Sequence, residues 1–64
     1  MITLFFQKNG EDGHIEISPN TDERLRKFSC LSGLSRSLIA EAVYIKFGEI
    51  SEELIIRYLN ELNP

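Results

Sequence analysis

The chain holds a single cysteine, no tryptophan and no uninterrupted apolar stretch of bilayer-spanning length. One thiol excludes an internal disulfide framework and any multi-cysteine zinc site, and Cys30, without a basic or histidine neighbour, is expected to be a small buried hydrophobe. No metal or cofactor is expected. Met1 to Phe6 is apolar but has neither a basic leader nor a small-residue cleavage site, so the expectation is a cytoplasmic chain with no membrane contact. There is no phosphate-binding loop and no nucleophile with a base at useful spacing. A fold of 64 residues also has little room for a substrate cavity, so no enzyme is expected.

A single domain spanning 1–64 is small enough that its surface outweighs its core. Disulfides and metal being excluded, oligomerisation is the support that remains. The charge is uneven. From Pro19 to Gly48 five basic residues (Arg24, Arg26, Lys27, Arg36, Lys46) stand against three acidic ones, whereas both flanks are acidic and the whole chain carries −3. A surplus of carboxylates disfavours nucleic acid as a global partner but leaves a local basic surface open.

Ile2, Leu4 and Phe6 alternate as in a strand, Asn9-Gly10 with Gly13 supplies turn freedom, and His14 to Ser18 forms a second strand with Ile15 and Ile17 on one side. Residues 1–18 therefore predict a hairpin. Ser18-Pro19 is a helix entry, with Leu25, Phe28 and Leu31 as an apolar stripe and Gly33 as the stop. Ser35 caps a second helix, which is apolar nearly all round from Leu38 to Phe47. Such a helix predicts a core larger than one chain, with Ile15, Ile17, Leu38, Ile39, Ala42 and Val43 at a homodimer interface. Gly48 ends it. Ser51 caps a third helix over 51–62, whose apolar face includes Leu54, Ile55, Tyr58, Leu59 and Leu62. The expected class is α+β, mostly helical.

Ile15-x-Ile17, Leu25 eight residues on, Gly33 eight further, and Ser35-Arg36-Ser37 fall at the spacing of small plasmid copy-number repressors, and the segment 15–47 resembles the ribbon-helix-helix family. The resemblance implies a ribbon-helix-helix dimer to which the N-terminal strand and the C-terminal helix are additions. It further implies a two-stranded ribbon in the major groove of operator DNA, with the second helix's start on phosphate. By position Asp12, His14 and Glu16 would read bases, and Ser35, Arg36 and Ser37 would hold phosphate. The acidic reading face departs from the family's pattern, because duplex DNA carries one negative charge per about 1.7 Å. In antitoxin members of the family a C-terminal extension binds the partner toxin, which makes Leu54, Tyr58 and Leu59 candidate partner contacts.

Two classes of function follow. One is a dimeric DNA-binding regulator, a repressor or antitoxin. The other is a protein-binding module, a toxin neutraliser or phage-encoded inhibitor of a host protein, that uses acidic surfaces and does not bind DNA. Arg24, Arg26 and Lys27 are expected to be an ordinary solvated helix face beside Asp22 and Glu23, and Asp12, His14 and Glu16 a polar strand face rather than a metal site.

Overall fold

Asn9 and Gly10 both take positive φ, 54° and 81°, the geometry of the tight turn that suits the right-handed twist of two antiparallel strands. In the computed structural model, which describes residues 1–62, this turn joins β1 (Ile2–Lys8) to β2 (Glu11–Ile17) in an antiparallel hairpin running from the pair Ile2–Ile17 to the pair Lys8–Glu11. Gly13 belongs to β2 rather than to the turn. It sits opposite Phe6, and a Cβ placed on it would lie 3.2 Å from the Phe6 ring, so the missing side chain makes room for the aromatic.

Three helices follow: α1 (Pro19–Ser32), α2 (Arg36–Phe47) and α3 (Glu52–Leu62). Their ends are where local chemistry puts them. The Ser18, Ser35 and Ser51 hydroxyls accept from the backbone N–H of Thr21, Leu38 and Leu54, satisfying first-turn donors that have no helical partner. Gly33 and Gly48, at φ 78° and 73°, close α1 and α2 in the left-handed conformation, donating back to the Ser29 and Tyr44 carbonyls.

The hairpin lays one face on the helices. Leu4, Phe6 and Ile17 are buried there with Leu25 of α1, Ile39, Ala40 and Val43 of α2, and Ile55 and Leu59 of α3. Of the helices, α2 packs most extensively on β1. Ile17, Leu25, Ile39, Val43 and Ile55 are at most 1% exposed within this one chain. Ile17, Ile39 and Val43, expected at a homodimer interface, are covered within one chain by its own strands and helices. The N-terminal strand is the reason, because β1 beside β2 supplies a two-stranded apolar platform from within the chain. Among the aliphatic side chains of α2, Leu38 and Ile45 stay exposed, the latter at 81%, and Ala42 is half-buried.

Two expectations for α1 are corrected. Leu25 is buried, Phe28 half-buried and Leu31 87% exposed. Each step of three residues falls short of a full turn by about 60°, so Leu31 has drifted about 120° from Leu25 and left the core. Cys30 is exposed rather than buried for the same reason of helical phase.

Candidate functional site

The start of α2 is occupied by intramolecular contacts. The Ser35 hydroxyl accepts from Leu38 N–H at 3.1 Å, and the Ser37 hydroxyl donates to the Phe5 carbonyl of β1 at 2.6 Å. The Arg36 guanidinium reaches back 14 residues and donates to the Asp22 carboxylate, whose other oxygen accepts from Arg26 Nε at 2.8 Å. Asp22 is in the first turn of α1 and its side chain is only 4% exposed. Burial pushes its carboxyl up, but hydrogen bonds from Arg26 and Arg36 and their two charges together outweigh that and hold it below the ordinary carboxylate value. Ser35, Arg36 and Ser37 thus come together at one helix start, and each already has a partner.

A second carboxylate ties the helices. Glu52, at the start of α3, accepts from Ser18 N–H at 3.2 Å, Ser18 Oγ at 2.7 Å and Thr21 Oγ1 at 2.6 Å. The Thr21 and Ser18 hydroxyls, followed by the Ser18 amide, lower the Glu52 pKa. Placing a negative charge at the α1 N-terminus also suits the helix dipole. Among the described residues no buried side-chain nitrogen or oxygen lacks a hydrogen-bond partner, so these polar groups are structurally satisfied.

The outer face of the hairpin is different. Strand alternation puts Thr3, Phe5 and Gln7 of β1 beside Glu16, His14 and Asp12 of β2, in that order, and all six are exposed. Phe5 is 66% exposed and its ring lies 6.0 Å from the His14 ring. The face therefore presents an apolar centre flanked by two carboxylates. Gln7 Nε2 reaches Asp12 at a marginal 3.5 Å, and none of the ion pairs among the described residues includes Asp12 or Glu16. No group of three His, Cys, Asp or Glu side chains among those residues could hold a metal ion. Asp12, His14 and Glu16 were legible as one row. Thr3, Phe5 and Gln7, which complete the face, were missed, although the inward alternation of Ile2, Leu4 and Phe6 was the signal for them.

The basic residues of α1 are locally engaged. Arg24 donates to Asn60 at 2.6 Å, Arg26 to Asp22, and Lys27 lies 3.7 Å from Glu23. The apolar face of α3 serves the chain's own core: Ile55 and Leu59 are buried, and Leu54 and Tyr58 pack half-buried against them. Of the expected partner contacts, Leu59 is 4% exposed and packs in the core, at the floor of a groove between α1 and α3, while Leu54 and Tyr58 keep part of their surface open. No helix among the described residues is long and apolar enough to cross a membrane.

No protein-family model, curated protein or solved structure matches the chain.

Proposed function

We propose that this chain is a protein-binding module that engages a basic protein surface through the outer face of its hairpin. A basic toxin to be neutralised, or a nucleic-acid-binding protein to be inhibited, is the kind of partner that fits. The observation that carries the reading is the exposed row around Phe5, where Asp12 and Glu16 stand without cationic partners among the described residues. An exposed aromatic ringed by charge is suited to an interface anchor, and the unneutralised carboxylates give that interface its sign. The same row opposes the DNA backbone, and Arg36, the one cation at the start of α2, is paired to a buried carboxylate.

A second reading, the dimeric DNA-binding regulator, is favoured by one observation. β2, α1, the Gly33 turn and the Ser35-capped α2 follow one another as the resemblance implies. In that reading the homodimer would form through β2, with the half-buried Ile15, and through Leu38, Ala42 and Ile45 of α2, and Arg36 would have to leave Asp22 for phosphate.

Fluorescence anisotropy with a labelled lysine-rich peptide at low salt separates the two. The protein-binding reading expects saturable binding that weakens with salt and is lost in the double variant Asp12→Lys, Glu16→Lys. Binding that the double variant retains in full would overturn it, because the acidic row would then not be the contact.

A further inference from the structure

Counting from the closing pair Lys8–Glu11, the alternation of an antiparallel ladder turns the backbone N–H and C=O of Thr3, Phe5 and Gln7 away from β2, and those of Asp12, His14 and Glu16 away from β1. On the β1 side Ser37 covers one of these groups by donating to the Phe5 carbonyl. On the β2 side no hydrogen bond among the described residues reaches the backbone of Asp12, His14 or Glu16. β2 therefore has an open edge of strand length. Beside it runs a shallow cleft, with Ile15 on the strand side and Tyr44, Gly48, Glu49 and Ile50 on the other.

We propose that this edge takes an extended, basic segment of a protein partner as an antiparallel third strand. The proposal rests on the protein-binding reading above and specifies its mode. Side chains of an added strand alternate between two environments. Those on the outer face stand beside Asp12 and Glu16, which have no ion-pair partner among the described residues, and favour lysine or arginine. Those on the inner face enter the cleft against Ile15, Tyr44 and Ile50, and favour apolar residues. Lys8 is the cation of the cleft, and it sits at the turn end opposite Glu11. Main-chain pairing would supply affinity, and the alternation of basic and apolar residues would supply choice.

A second copy of the chain is the competing occupant, and charge opposes it. Pairing β2 with a copy of itself about His14 gives the fullest overlap of the exposed groups, and it sets Asp12 directly opposite Glu16 twice. Directly opposed like charges destabilise a strand pair. Four carboxylates on one face would meet no lysine or arginine of either copy there, whereas a basic strand neutralises them.

The test uses the whole 15N-labelled protein and a synthetic heptapeptide alternating lysine and valine, blocked at both ends. Strand addition predicts chemical-shift changes and slowed hydrogen exchange at the Asp12, His14 and Glu16 amides. In antiparallel register the lysine amides face β2, so methylating those nitrogens should weaken binding about tenfold or more, while methylating the valine nitrogens should leave it within about twofold. Equal binding by both methylated peptides would overturn strand addition yet leave an acidic surface that holds basic peptides. Absence of binding by any of the peptides would overturn both. Slow exchange at those three amides in the protein alone, with a doubled mass in solution, would give the edge to a second copy and overturn the proposal.

Discussion

Arg36→Ala is the substitution for which the phosphate-binding and structural roles diverge most. In the structure Arg36 is one of two cations on a carboxylate that is 4% exposed, and the other, Arg26, remains after the change. A hydrogen bond to a charged group contributes about 1.5–3 kcal/mol, and the Arg36 side chain is itself 33% exposed, so solvent screening points to the lower end, about 1.5 kcal/mol. For a domain of this size, that corresponds to a fall in Tm of roughly 6–12 °C. The loss should depend on pH with a definite sign. Asp22 has a depressed pKa in the folded state, so its contribution is fully present above the unfolded value of about 3.9 and is lost as pH falls through the folded pKa. Thermal unfolding followed by circular dichroism should show the Arg36→Ala deficit in full at pH 7 and a shrinking deficit below about pH 4. A variant with the parent's Tm at pH 7, or a deficit that does not shrink in acid, would refute the role assigned to the pair.

Glu52→Ala should lower Tm and speed exchange of the Ser18 amide, which donates to that carboxylate; unchanged exchange would remove Glu52 as the tie between α3 and α1. Because the Glu52 pKa is lowered, its contribution too is present at neutral pH and lost in acid, a loss visible as a shallower acid limb in the variant's stability profile. Gly13→Ala should change stability by no more than about 1 kcal/mol in urea unfolding, since the press of its Cβ on the Phe6 ring at 3.2 Å opposes the entropy that alanine removes from the unfolded chain. Leu25→Ala should cost about 3 kcal/mol and Leu31→Ala no more than about 0.5, although the two residues occupy the same apparent stripe in the sequence.

That contrast marks the boundary of what the sequence discloses. Signals that act within a few residues were legible: the Asn9-Gly10 turn, the serine caps at Ser18, Ser35 and Ser51, and the glycine stops at Gly33 and Gly48 all depend on local backbone donors and dihedral angles. The alternation of Ile2, Leu4 and Phe6 with Ile15 and Ile17 likewise gave the inner face of the hairpin. Contacts distant in sequence left no local mark. Asp22 and Arg36 are 14 residues apart, and Glu52 and Ser18 are 34 apart, so each looks like an ordinary surface charge or cap until the helices pack. The apolar α2 suggested a core too large for one chain because β1's place against it depends on the hairpin folding back, which periodicity within α2 does not encode. Leu31 falls off the buried face because a spacing of threes drifts against a helix that repeats at about 3.6 residues. On the candidate surface Asp12, His14 and Glu16 were legible as a row, while the openness of their backbone edge required the register.

If the sign of charge on the hairpin's outer row selects a basic protein partner, the same row should repel nucleic acid. The most direct measurement is the anisotropy of a labelled mixed-sequence DNA duplex titrated with the protein at low salt, where electrostatic attraction is strongest. The expected result is no binding at protein concentrations that saturate the lysine-rich peptide. Binding to the duplex that weakens steeply as salt is raised would contradict it and return Arg36 to the phosphate backbone.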